Sequence, residues 1–190
     1  MEIRYLEIPG PVVIIPKKFQ DERGFLSATF IDEWFSANVA ACDFVQDTHT
    51  YSVHAGTIRG IHFQIAPDAQ AKLVRVVRGA VWDVAVDLRR GSPHFGRHVG
   101  VELSAGNWQQ LWIPVGFGHG FCTLEPDTEV LYKVGARYVP ASERGIIWDD
   151  PDLAIDWPIA LQNPTLSERD RQHPRLKDSP AYFHYEPPET

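Results

Sequence analysis

The sequence predicts an all-β protein, a closed sandwich or barrel of jelly-roll type with a few short helices. Three features carry that expectation. Aromatic residues make up 12% of the 190 residues, and aromatic and β-branched side chains suit a pleated, half-buried surface. Short strand-like runs recur at roughly 8–12-residue spacing between Gly/Pro turns. The run 80–88 alternates cleanly, with Ala80, Trp82, Val84, Val86 and Leu88 on one face and Val81, Asp83, Ala85 and Asp87 on the other.

Taken in order, residues 2–8 and 12–19 read as strands split by Pro9-Gly10-Pro11. Asp21-Glu22-Arg23-Gly24 is a polar turn, and a strand resumes over 25–30. Asp32-Glu33-Trp34-Phe35 opens the only early helix, with Asp32 as its cap. Residues 43–53 return to strand, carrying Gln46, Asp47 and Thr48. The run 72–89 reads as a hairpin broken at Arg78-Gly79. Residues 95–104 form a strand closed by Ala105-Gly106-Asn107. Pro114-x-Gly116-x-x-His119 marks a tight corner that turns His119 to the inside of a barrel. Residues 128–134 place Val130, Tyr132 and Val134 on one face. Beyond Pro140 come loop and short strand, then a short helix over 166–171. The chain reads as one domain, 1–190. Its barrel core covers about 12–160, and the Pro- and aromatic-rich segment 161–190 packs over the barrel or over a partner.

A formal charge of −7 leaves no global basic field for nucleic acid, so an anionic ligand needs a local cluster of Arg and Lys. Cys42 and Cys122 lack CxxC spacing, which points to free thiols in a reducing, cytoplasmic compartment. The start Met1-Glu2-Ile3-Arg4-Tyr5 has no apolar signal region. No run of about 18 apolar residues occurs, so neither secretion nor a membrane span is expected.

Arg59, His62, Gln64 and Lys72 interrupt two runs that otherwise read as buried strand. Burying such groups without partners is unfavourable by several kcal/mol, so together they point to a lined pocket. Singly, His62 and Lys72 read equally well as groups that satisfy a neighbour or snorkel to the surface. Arg59 and His62 are three apart and face opposite ways in a regular strand. If both line one pocket, Gly60 permits a bulge or twist. On its own residue type, Tyr132 is an aromatic core residue with a hydrogen-bonded hydroxyl, and Asp170 is a solvated helix residue.

The Pro114-x-Gly116-x-x-His119 corner resembles the second sequence motif of the cupins, small jelly-roll barrels whose mouths hold ligands. Metal-binding cupins carry His-x-His and a Glu in the first motif. Here Ile61-His62-Phe63-Gln64 puts Gln64 at the second His, so no metal site is expected. Further motifs follow in order. They are Asp21-Glu22-Arg23-Gly24-Phe25, Arg59-Gly60-Ile61-His62-Phe63-Gln64, Gln70-Ala71-Lys72-Leu73-Val74, Asp83-Val84-Ala85-Val86-Asp87-Leu88-Arg89 and Ile113-Pro114-Val115-Gly116-Phe117-Gly118-His119-Gly120-Phe121. Tyr132-Lys133, Trp148-Asp149-Asp150-Pro151 and Leu166-Ser167-Glu168-Arg169-Asp170 complete the set. From about residue 12 to residue 171 the chain is similar to the dTDP-4-dehydrorhamnose 3,5-epimerase family, metal-independent cupins that act on a nucleotide-linked keto sugar.

The resemblance implies epimerisation beside a ketone at C3 and C5, with no cofactor and no metal. Such chemistry needs a base on one face, an acid on the other and a stabiliser for the enolate oxygen. By resemblance His62 is the base and Asp170 orients its imidazole. Lys72 stands by the oxyanion, His119 adds a polar contact, and Tyr132 returns the proton. Arg23, Gln46, Thr48, Arg59, Glu143 and Arg169 match substrate-contact positions, Arg being suited to phosphate by its bidentate fork. The sequence departs from the family at Ala28, where a Glu is usual, and at Thr48, where an Asn is usual. Arg169 stands where the family has Lys. The first two leave the base and the exact sugar open. The resemblance also implies a homodimer, with the N-terminal segment reaching across. The alternatives are a single-carbon epimerase, a non-catalytic sugar-nucleotide-binding cupin and a metal-dependent cupin.

Overall fold

The computed structural model describes residues 1–158 and 163–187. Six strands form one antiparallel sheet in the order β1 (Glu2–Tyr5), β2 (Val12–Ile15), β11 (Gln110–Ile113), β7 (Lys72–Arg78), β13 (Thr128–Val134) and β5 (Gln46–Ser52). Five form a second, in the order β10 (His98–Ser104), β8 (Ala80–Asp87), β12 (Phe117–Thr123), β6 (Ile58–Gln64) and β14 (Glu143–Gly145). Two ribbons sit apart, β3 (Phe19–Asp21) with β4 (Gly24–Leu26), and β9 (Arg89–Arg90) with β15 (Phe183–His184). The expected all-β class is observed.

Alternation along the strands explains why there are three apolar layers. Val13, Val74, Val76, Val81, Ala85, Leu111 and Val130 meet between the two sheets. Val84, Val86 and Leu88 point the other way, to an outer layer closed by Leu153, Trp157, Leu176, Tyr182 and Phe183. On the far side, Val12, Ile14, Leu73 and Trp112 lie under helix α1 (Asp32–Asn38), whose Phe35 meets Trp112 edge-on at 5.1 Å. Because both faces of β8 are covered, its alternation divides one core from another rather than core from solvent.

The 72–89 hairpin is not formed. β7 pairs with β11 and β13, whereas β8 pairs with β10 and β12. Gly79 (φ +74°) passes the chain between sheets, and a Cβ there would lie 2.3 Å from Thr128 Oγ1. The alternating pattern is the same in a hairpin and in a sheet-crossing corner, so it did not separate them. Pro114-Val115-Gly116 makes an equivalent corner between β11 and β12, with Gly116 at φ +94°. His119 does point inward there, 4% exposed.

Other boundaries move for local reasons. Pro16, without an N–H, separates Val12–Ile15 from Phe19–Asp21. The strands expected over 2–8, 25–30 and 95–104 shrink to Glu2–Tyr5, Gly24–Leu26 and His98–Ser104. Ile31 is the helix N-cap, extended and without a side-chain cap bond. Asp32 is the first helical residue, an acid suited to the helix N-terminus. The helix over 166–171 is a turn in which Ser167 takes the Asp170 N–H at 3.1 Å. Asp170 is 3% exposed, a buried residue and not a solvated one. The boundary drawn at 160/161 and the last three residues of the 161–190 segment lie outside the described residues.

The bulge expected at Gly60 is present. His119 faces His62 across β12 and β6, and Phe121 faces Arg59, so two residues of β6 oppose Gly120 alone. Gly60 (φ +131°) touches this point so closely that a Cβ would lie 2.4 Å from Gly120 Cα. Gly60→Ala is therefore expected to cost at least about 2 kcal/mol, a fall in melting temperature of roughly 4–8 °C. Gly106→Ala, whose Cβ meets only Ser104 Oγ at 3.7 Å, is the control and should stay within about 0.5 kcal/mol. Equal melting of the two variants would contradict the assignment.

Candidate active site

The bulge sets the site. With one extra residue in β6, Arg59 and His62 face the same cavity of about 400 Å³. Gln46 and Thr48 reach it from β5, Lys72 from β7, His119 from β12, Tyr132 from β13 and Glu143 from β14. Arg169 and Asp170 come from the turn after the barrel. The structure thus gathers ten of the expected positions and leaves out Arg23. That guanidinium is exposed at the tip of the β3–β4 ribbon, paired with Asp21 at 2.5 Å.

His62 Nε2 lies 2.5 Å from Asp170 Oδ1, and Ser167 Oγ donates to Asp170 Oδ2 at 2.8 Å. Burial works to raise the Asp170 carboxyl. The His62 and Ser167 hydrogen bonds and the neighbouring imidazoles outweigh it and hold the group below the usual carboxylate range. An ionised Asp170 accepts Nε2–H, so Nδ1 is the ring nitrogen left to face other partners.

Lys72 is buried, and loss of hydration lowers its pKa to about 8 against the opposing pull of Asp83 and Glu143. His119 Nε2 donates to both oxygens of Asp83, at 3.0 and 3.1 Å. Burial pushes its pKa down more than Asp83 raises it, so the ring is neutral at neutral pH. Tyr132 packs its ring on the inner core yet lines the cavity, so it has both the core and the pocket character. Its phenol is shifted up by burial, against the Thr48 hydrogen bond and the charge of Arg59, and stays protonated. At the rim, Arg169 pairs with Glu143, and Tyr138 Oη donates to Glu143 at 2.6 Å. Gln46 Nε2 donates to Thr48 Oγ1 at 3.0 Å.

Sequence reasoning missed four contributors. Asp83 was placed on one face of the alternating run 80–88 and at the head of an ordered motif but given no role, although an acid among Val81 and Ala85 was a usable signal. Ser167 and His173 stand three residues either side of Asp170, a spacing with no meaning until the turn forms. Tyr138 had no signal. The assembled groups comprise an imidazole held by a carboxylate, a buried ammonium and a protonated phenol. Around one cavity, such a set can move a proton off carbon, stabilise the anion and return a proton.

A family model described as dTDP-4-dehydrorhamnose 3,5-epimerase matches residues 5–178. A dTDP-4-dehydrorhamnose 3,5-epimerase from Sinorhizobium fredii is 48% identical over 97% of this chain and 94% of its own length. Among solved structures, a dTDP-6-deoxy-D-glucose-3,5-epimerase from Legionella pneumophila in complex with dTDP-4-keto-L-rhamnose aligns with a TM-score of 0.94. It is 40% identical and covers 98% of this chain and 99% of that one. A 3'-monoepimerase from Streptomyces bikiniensis in complex with dTDP-quinovose has a TM-score of 0.84 at 37% identity, over 90% of this chain and 86% of that one.

The buried ammonium has a thermodynamic signature. Below pH 8 Lys72 is charged in both the folded and unfolded chain, and the desolvation penalty is fully present. Between about 8 and its ordinary 10.5 the unfolded chain binds more protons, so folding stability rises with pH. The interval corresponds to ~3 kcal/mol. Lys72→Met is expected to be more stable than the parent at pH 7, and the gap should narrow by up to that amount towards pH 10.5. Urea denaturation of both proteins at the two pH values measures it. A gap independent of pH contradicts the burial of the charge.

Proposed function

The chain belongs to the dTDP-4-dehydrorhamnose 3,5-epimerase family, and from that premise we propose that it epimerises a dTDP-4-keto-6-deoxyhexose at C3 and C5. The observation that carries the reading is the convergence of His62, Asp170, Lys72 and Tyr132 on one cavity. His62 Nδ1 takes the proton from the carbon beside the ketone. Asp170 holds the ring in the required tautomer and balances the imidazolium that forms. The electron pair moves onto the ketone oxygen, where the Lys72 ammonium stabilises the enolate and His119 adds a polar contact. Tyr132 then delivers its phenolic proton to the opposite face of the same carbon. The phenolate and imidazolium are reset by proton exchange before the second carbon reacts. One C–H bond breaks and one forms at each centre, so the reaction consumes no oxidant or reductant.

The diphosphate is held by Arg59 and Arg169 at the rim, with Gln46, Thr48 and Glu143 around it. Arg23 completes the set from a second copy of the chain. Its ribbon carries exposed Phe19, Phe25 and Leu26, the kind of apolar surface that packs across a homodimer. Two unpaired thiols, Cys42 and Cys122, suit the cytoplasm. Among the described residues, no helix is long and apolar enough to cross a membrane.

A narrower reading, epimerisation at one carbon only, is favoured by the similarity to the 3'-monoepimerase and by Ala28 and Thr48 at substrate-contact positions. Incubation with dTDP-4-keto-6-deoxyglucose in D2O, followed by NMR, separates the two. Deuterium at C3 and C5 is the expected result, incorporation at one carbon selects the narrower enzyme, and no incorporation with binding intact removes the epimerase assignment. His62→Asn should slow exchange at both carbons by a factor of about 10²–10⁴, and retention of the parent rate would remove His62 as the base. Tyr132→Phe is expected to impair net inversion more than removal of the first proton, and equal losses would make Tyr132 structural.

A further inference from the structure

Along the sequence, His62 has no third strong metal ligand near it, only His119 and Gln64. Folding changes the inventory. His119 is taken up by Asp83, but the C-terminal turn brings Asp170 and His173 to the other side of His62. One ligand atom from each of His62, Asp170 and His173 falls within 4.8 Å of the other two. His62 Nε2 is 2.5 Å from Asp170 Oδ1, and His173 Nε2 is 3.7 Å from the same oxygen. The two imidazoles meet edge to face, 5.4 Å between ring centres.

The Nε2 of His173 is buried and bonds to no group among the described residues. The ring is nonetheless fixed. It lies flat on the backbone of β14, so that a Cβ on Gly145 would come within 2.5 Å of Nε2. Pro174 O accepts the Ile147 N–H at 2.9 Å, anchoring the segment that carries it. Ser167 orients the second oxygen of Asp170 at 2.8 Å, the outer-sphere support that metal-binding carboxylates use.

We propose that His62, Asp170 and His173 form a capture site for a divalent transition metal, zinc foremost, and that occupation of this site inhibits the enzyme. Two imidazoles and one carboxylate are the donor set of tetrahedral zinc with a water in fourth place, and are unsuited to magnesium or calcium. Tetrahedral ligand atoms bonded at about 2.05 Å stand about 3.4 Å apart. Entry of the ion widens the short His62–Asp170 distance and draws in His173. Inhibition follows from the tautomer. An ion on Nε2 takes the place of that proton, and the neutral ring then carries its single N–H on Nδ1, the atom whose lone pair would accept the substrate proton. Binding of the metal stands on the geometry alone, whereas the inhibitory consequence rests on His62 being the base.

The two are read separately. The full-length protein, stripped with chelator, is titrated with Co2+, whose visible absorption reports a tetrahedral nitrogen and oxygen site without turnover. Expected is one ion per chain, displaced by Zn2+. His173→Gln and His173→Leu are expected to bind at least about tenfold more weakly. Zinc should slow the D2O exchange of the parent, and these variants, each compared with its own metal-free rate, should need correspondingly more. In the parent, imidazole 15N NMR should show zinc on Nε2 of both His62 and His173, a reading that needs no variant. No ion bound by the parent, parental affinity in a folded His173 variant, or zinc signals confined to other histidines overturns the site. Metal binding without loss of exchange overturns only the inhibition.

Discussion

Everything at the site depends on one close contact, where Gly60 and Gly120 meet across β6 and β12. A side chain on either would collide with the opposite backbone or with Ile61. Only because both are glycine can β6 take an extra residue without leaving its partner. The extra residue reverses the facing of Arg59, so a guanidinium and an imidazole three apart in sequence share one cavity. A regular strand would have turned Arg59 into the outer apolar layer, where Ile58 and Ile61 now lie. The guanidinium and the imidazole are thus held together by backbone geometry rather than by any bond between them.

The second constraint is charge in a place built from Val, Leu and Phe. The barrel interior tolerates Lys72 because two acids, Asp83 and Glu143, offset part of the desolvation. Asp83 also binds His119 through both oxygens, which keeps that ring in place beside the ammonium. The two buried carboxylates near the histidines have distinct duties. Asp83 belongs to the deep end with Lys72 and His119, and Asp170 belongs to the rim side, where it determines the His62 tautomer. Their separation keeps one imidazole as a neutral donor and frees a lone pair on the other. The desolvation of Lys72 is a stability loss located in the cavity itself.

The C-terminal segment joins these two themes. Leu153, Trp157, Leu176, Tyr182 and Phe183 close the outer face of the five-stranded sheet. The same segment delivers Ser167, Arg169, Asp170 and His173. Packing of the cover therefore positions the dyad, and loosening that cover would release Asp170 from His62. The proposed metal capture exploits the same arrangement, since the residue that fixes the tautomer is also a ligand.

Much of this was legible in the residues. Period-two alternation over 80–88, the Pro114/Gly116 corner and the isolated polar groups at Arg59, His62 and Lys72 determined an all-β barrel with a polar interior. They could do so because each is a local property of backbone and burial. The ordered motifs brought in Tyr132 and Asp170, which no local property distinguished from a core tyrosine and a surface acid. Which strands pair was decided only in three dimensions, because a hairpin and a sheet-crossing corner at Gly79 share one hydrophobic pattern. The company of Asp83, Ser167 and His173 was likewise decided there, since contacts between distant segments leave no periodicity to read. Sequence determined which residues had to be explained. The tertiary structure decided who their partners are, because a buried charge is stabilised by what lies across space from it, not by its neighbours along the chain.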